Sequence, residues 1–274
     1  MLSELTDNMI KIRNLRKQFS PQYPGRGFCL HVDNLEIGDG EVVYFLGPNG
    51  SGKTTLLSIV RGTIPADSGS VLIESGQHGG NLDLLEFDPH SRAKYLGVVP
   101  QDSDEALVNE MTVADHVLVA LSQSASVPLL FPRMRLRSSV ESVLSGFRLG
   151  LEHRLNESVG NLSGGERQVL TFCLATVGKP AVMLLDEFTS ALDPEMARKV
   201  IDTVISFLRS NRLTALVVTH RHKEALDNAD RIVVLHHGRP FCDVRRGSPD
   251  FTEECMREIF SSLYEIRDAA AVAE

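Results

Sequence analysis

The chain has 274 residues, with 28 Lys and Arg against 36 Asp and Glu, and a formal charge of −8. This length allows one large domain or two small ones around a well-buried core, and the 42% hydrophobic and 23% charged content excludes wholesale disorder. The acidic balance argues against nucleic acid as a partner, because non-specific binding rests on neutralising phosphates with Lys and Arg.

From the amino end, Met1–Asn8 carries acidic residues and no apolar stretch, so a secretory signal is not expected. Ile10–Phe19, Phe28–Ile37 and Glu41–Leu46 read as strands, and the last of them runs directly into glycines. There the sequence is Gly47-Pro48-Asn49-Gly50-Ser51-Gly52-Lys53-Thr54, followed by a helical pattern to about Arg61. The spacing G-x-x-x-x-G-K-[ST] between a strand and a helix is that of a phosphate-binding loop. Glycines let successive backbone N–H groups turn inward on a polyanion, and the helix N terminus adds positive potential. Lys53 then reaches the β- and γ-phosphates while the Thr54 hydroxyl serves Mg²⁺.

Ser70–Glu74 and Tyr95–Pro100 read as further strands, and Thr112 to about Gly150 as mostly helical, interrupted at Pro128 and Pro132. Leu162-Ser163-Gly164-Gly165-Glu166-Arg167-Gln168 precedes an apolar helix, Val169–Val177. Ser163 and Glu166 stand in capping-box spacing. A cap alone does not explain two consecutive glycines, which together with the serine hydroxyl form a second anion-binding nest. Ala181-Val-Met-Leu-Leu185 is a buried strand ending in Asp186 and Glu187. Beside a phosphate loop, such a pair supplies one acid to hold Mg²⁺ and another to orient or deprotonate the attacking water. Pro194–Arg209 reads as a helix, and Thr214–Thr219 and Arg231–Leu235 as strands. This alternation predicts parallel strands with helices on both faces. No apolar run approaches the roughly 20 residues that span a bilayer. Cys29, Cys173, Cys242 and Cys255 lack CxxC spacing, so reduced thiols are expected rather than a disulfide or zinc framework.

Taken together, these motifs resemble the ATP-binding subunit of an ABC (ATP-binding cassette) transporter, with Leu162–Gln168 similar to the family signature. The resemblance covers roughly Met9 to Val244. It implies an α/β fold: a phosphate-loop core, an antiparallel β subdomain and a helical insert over about 102–177. An ATP-binding domain would then occupy 1–244 and a short helical tail 245–274. Two copies would pair head to tail, with ATP between Gly47–Thr54 and Thr55 of one and Ser163, Gly164 and Gly165 of the other. By the same resemblance Gln101 touches Mg²⁺ along with Thr54 and Asp186, Glu187 is the catalytic carboxylate, and His220 contacts the γ-phosphate. Asp193, in Ser190-Ala-Leu-Asp193, lies in the loop that crosses the dimer interface. Phe19 occupies the adenine-stacking position, with Tyr23 and Phe28 as rivals because the loop Pro21–Gly27 is long.

Two departures stand out: Cys173-Leu-Ala-Thr176 replaces a commonly basic Ala-Arg-Ala-Leu, and Phe188 replaces a common proline. Neither removes a group the chemistry needs, so an active ATPase is expected. With no span of its own, the chain would work at the cytoplasmic face of the plasma membrane. Its insert, including Ala106–Ala120, would dock on separate permease subunits served by a substrate-binding protein. The short approach Asn156–Asn161 to the signature resembles importers more than exporters. A stand-alone ATPase of iron–sulfur assembly, docking on soluble scaffold proteins, is the alternative. Absence of heptads and the acidic charge count against a DNA-organising ATPase.

Overall fold

The computed structural model describes residues 9–20, 27–75, 80–123, 133–147 and 150–272. Tyr23, Pro128, Pro132 and most of the loop before Phe28 lie outside them. The chain divides into two compact units, Met1–Glu86 with Leu216–Glu274, and Phe87–Ala215.

The first unit contains an antiparallel sheet ordered β2-β1-β4-β5, built from β1 (Met9–Gln18), β2 (Cys29–Ile37), β4 (Ser68–Ser75) and β5 (Gly80–Asp83). Alternation sets its faces: Ile10 and Ile12 are buried while Lys11 between them and Arg13 after them are not, and Leu30, Val32, Leu35 and Ile37 are the buried positions of β2. Ile12 sits opposite Leu35 on one side and Val71 on the other. The register with β4 shifts between Arg13 and Arg16, a bulge at which Asn14 takes φ 48°.

The same unit holds β3 (Val42–Leu46), parallel to β9 (Arg231–His236), which forms a hairpin with β10 (Arg239–Arg245). All five β3 residues are buried, as expected of a strand covered on both faces. The hairpin turns through His237 and Gly238, both at positive φ, as a two-residue turn that matches strand twist requires. Helix α1 (Lys53–Arg61) follows β3 and stops at Gly62 in the left-handed conformation. Helices α7 (His222–Asn228) and α8 (Glu253–Val272) complete the unit.

The second unit pairs β6 (Leu96–Val99) with β7 (Val182–Asp186) in parallel, Leu96 opposite Val182. Its helices are α2 (Pro89–Arg92), α3 (Val113–Gln123), α4 (Arg133–Ser145), α5 (Gly164–Thr176) and α6 (Pro194–Ser210). Phe147 stacks on Phe207 with centroids 4.4 Å apart, and both meet Phe172 edge-on, fixing α5 against α6. Strand β8 (Thr214–Val218) runs through the boundary between the units.

The α/β architecture with an antiparallel β subdomain is the one the sequence anticipates. The stretch Ala106–Ala120 is helical only from Val113. Thr112 and Asp115 hydrogen-bond reciprocally and cap the helix there, and the Val108 N–H donates to His116 Nε2 at 2.9 Å, which draws the preceding segment back as a loop. Sequence periodicity does not reveal strand β5 and helix α7, which are four and seven residues long, or strand β10, which is mostly exposed.

Candidate functional site

In the first unit the apolar β3 delivers the chain into the phosphate loop. Gly47, Gly50 and Gly52 have φ 144°, 78° and 106°, values that L side chains rarely adopt. A β-carbon on Gly47 would also overlap the Leu235 carbonyl oxygen. The Lys53 ammonium is buried and donates to the carbonyls of Gly47 at 2.8 Å and Pro48 at 3.0 Å. The loop is braced from behind, where the Gly238 N–H donates to the Ser51 carbonyl at 2.9 Å. Gly52 stands at the N-cap of helix α1 and offers no side-chain cap, and the buried Ser51 hydroxyl makes no hydrogen bond among the described residues. Backbone donors at a helix start, an ammonium and an unsatisfied hydroxyl are the groups a polyphosphate satisfies.

Phe19 and Phe28 lie with ring centroids 6.0 Å apart, and Lys17 Nζ lies 5.8 Å from the Phe19 ring. Phe28 reaches the loop itself, since a β-carbon on Gly52 would stand 3.0 Å from its ring. His220 is exposed just beyond β8, where the Arg221 N–H donates to Thr219 Oγ1 at 3.2 Å.

In the second unit β7 ends at half-buried Asp186, and Glu187 follows with φ 42°. A left-handed non-glycine residue of this kind carries backbone strain. The turn closes with the Ser190 N–H on the Glu187 carbonyl at 2.9 Å. Gln101 Nε2 donates to Ser190 Oγ at 3.3 Å, so the segment after β6 and the turn after β7 are joined. Asp193 caps α6, accepting from the N–H groups of Glu195 and Met196 at 3.1 and 3.0 Å.

Ser163 and Glu166 form the full capping box at the start of α5. Gly164 is exposed, with Leu192 close enough that a β-carbon would stand 3.1 Å away. Gly165 is buried, and a β-carbon there would overlap Met196 on α6, so this glycine permits close helix packing. Burial alone would raise the Glu166 carboxyl. The Ser163 N–H and hydroxyl, then the Arg154 guanidinium, outweigh it and hold the carboxyl below the ordinary glutamate range.

Arg154, Arg167 and Gln168 are structural partners that motif reading passes over. Arg154 also grips Glu157 with two hydrogen bonds of 2.6 and 2.8 Å. Arg167 pairs with Asp104 and donates to Asn109 Oδ1 at 2.5 Å, and Gln168 Nε2 donates to the Gln101 carbonyl at 3.2 Å. The bonds of Arg167 and Gln168 tie the signature helix to the loop after Gln101, and their partners stand 58 to 67 residues away, where no local pattern marks them.

For a metal, Thr54 and Gln101 are exposed and Asp186 is half-buried. They carry hydroxyl, amide and carboxylate oxygens, the hard donors Mg²⁺ takes, so the donor chemistry fits the ion. Among the described residues no group of three or more His, Cys, Asp or Glu could hold a metal ion. No described helix is long and apolar enough to cross a membrane.

The family model described as ABC transporter matches residues 30–190. Over 237 residues the chain is 33% identical to the tyrosine transport ATP-binding protein of Clostridioides difficile, covering 86% of this chain and 92% of that one. It is 35% identical to the retinal-specific phospholipid-transporting ATPase ABCA4 of Mus musculus over 89% of its own length and 10% of that protein. Among solved structures, the dimeric post-hydrolysis ATP-binding cassette MJ0796 with ADP and Pi superposes with a TM-score of 0.69 at 25% identity, covering 87% of this chain and all of that one. The cassette MJ1267 in its ADP conformation, at 22% identity, shares the fold with a TM-score of 0.74 over 94% of this chain. The chain belongs to the ABC transporter family and is an ATP-binding, ATP-hydrolysing cassette of it.

Proposed function

We propose that this cassette is the ATPase subunit of an importer. It would pair head to tail with a second copy and drive separate permease subunits at the cytoplasmic face of the membrane, with a substrate-binding protein delivering the solute. The observation that carries the reading is the phosphate cradle: three left-handed glycines, a buried Lys53 ammonium and a helix start without a side-chain cap. Supporting it, the tyrosine transport protein of C. difficile, a relative of nearly the same length, is named as a transport ATP-binding protein.

In this reading the ATP-binding domain spans 1–244, with a helical insert at about 102–177 and a tail at 245–274. Residues 47–55 hold the phosphates, with Phe19 or Phe28 against adenine. Ser163, Gly164 and Gly165 of the second copy close over the same nucleotide, and Asp193 lies along the joint. Thr54, Gln101 and Asp186 would hold Mg²⁺, which when bound neutralises charge on the β- and γ-phosphates. Glu187 orients and deprotonates the attacking water, and His220 donates to the γ-phosphate. Hydrolysis removes contacts made only to the triphosphate, which biases the pair toward reopening.

The test is Glu187→Gln, which keeps the shape of the side chain and removes its basicity. With MgATP the variant should elute at dimer mass, release it on exchange to ADP, and nearly cease turnover. A variant that stays monomeric with MgATP, or that hydrolyses at the parental rate, overturns the proposal.

A further inference from the structure

Helix α7 begins two residues after His220 and is seven residues long, with no side-chain cap at its N terminus. A helix this short does not hold itself in water and depends on tertiary contacts. The segment after β10 supplies one at each end.

At the C-terminal end, the Arg246 guanidinium donates to the carbonyls of Ala229 at 2.7 Å and of Leu226 and Asp227 at 3.1 Å each. These include carbonyls that a helix end leaves without intrahelical partners, and the positive charge complements the helix dipole. Arg246 is itself seated over the Phe251 ring at 5.1 Å. At the N-terminal end, Phe260 of α8 stacks on His222 with centroids 3.8 Å apart and planes 28° apart. Phe260 is buried with Met256 and Leu263, four residues before it and three after, so one face of α8 is seated and the ring sits on a fixed base. Burial first, and the charge of His220 second, hold His222 below the ordinary histidine range, which suits a neutral ring against an aromatic face. These residues lie beyond the 30–190 family match.

We propose that Arg246 and Phe260 are positioning residues: the C-terminal segment clamps α7 at both ends and so fixes the backbone that carries His220. The inference rests on the role given to His220 above. An anchored α7 leaves His220 few backbone conformations to sample, and released from either end it loses the geometry its contact with the γ-phosphate needs.

The test uses the full chain and measures kcat and KM for ATP, urea unfolding midpoints, and imidazole proton resonances. Phe260→Leu keeps apolar bulk without a ring, Phe260→Tyr keeps the ring, and Arg246→Ala removes the other end of the clamp. Phe260→Leu and Arg246→Ala should each lower kcat about tenfold with KM changed less than about twofold, while Phe260→Tyr stays near the parent. The His220 and His222 resonances should shift in Phe260→Leu and hold in Phe260→Tyr. Parental kcat in Phe260→Leu, an equal loss in Phe260→Tyr, or a loss accounted for by unfolded protein overturns the clamp. His220→Ala separates the two claims. If it keeps parental turnover, the role of His220 fails, and the clamp is then judged on the resonances alone.

Discussion

Glu187 joins chemistry and backbone strain at one position, which makes its substitutions diagnostic. Its φ of 42° places a β-carbon where L residues are disfavoured by about 1–2 kcal/mol, a cost that glycine escapes. Glycine in turn gives the unfolded chain more freedom, a loss of about 0.4–1 kcal/mol relative to alanine. The difference leaves Glu187→Gly more stable than Glu187→Ala by roughly 1 kcal/mol, the reverse of the order at an ordinary position. Both variants lack the carboxylate and should be inactive. Urea unfolding of the two, with ATP turnover measured in parallel, reads both effects. If Glu187→Gly is the less stable, the left-handed turn after β7 does not exist in solution. If either variant turns over ATP at the parental rate, the carboxylate is not part of the chemistry.

Other consequences test the framework that holds the site. Phe172→Ala removes the fully buried ring that meets the stacked Phe147 and Phe207 edge-on and should cost about 3–5 kcal/mol in chemical unfolding. Asp193→Ala leaves the Glu195 and Met196 N–H groups without their cap and should cost about 1 kcal/mol, whereas Asp193→Asn should recover most of it. Because the Glu166 carboxyl is held low in the folded state, its contribution is present above the ordinary glutamate range and is lost as pH falls through the folded value. Stability measured against pH should therefore fall less steeply on the acid side in Glu166→Gln than in the parent. An unchanged slope would remove Glu166 from that limb.

The phosphate loop was legible because its chemistry is local. Glycines at fixed spacing after an apolar strand dictate a left-handed turn and a helix start within eight residues, and Gly47, Gly50 and Gly52 adopt positive φ there. The capping box at Ser163 and Glu166 was legible for the same reason, since donor and acceptor lie three residues apart. The strands themselves were legible in the apolar pattern, Ile10 and Ile12 alternating with polar residues on β1 while β3 is apolar throughout, whereas the antiparallel subdomain was expected only from the family resemblance.

What the sequence could not disclose depends on residues brought together from far along the chain. The signature glycines suggested an anion nest, yet Gly165 also admits Met196 of the neighbouring helix, a demand visible only once α5 and α6 are packed. Phe28 reaches the phosphate loop from 24 residues before Gly52, a span no periodicity measures. Arg246 and Phe260 brace a helix too short to announce itself, so the tail that holds α7 carries no motif. Sequence alone fixes what neighbouring backbone groups can do, because those preferences are set within a few residues. Which distant side chains share a cavity or cap an end is decided by close packing of the whole fold.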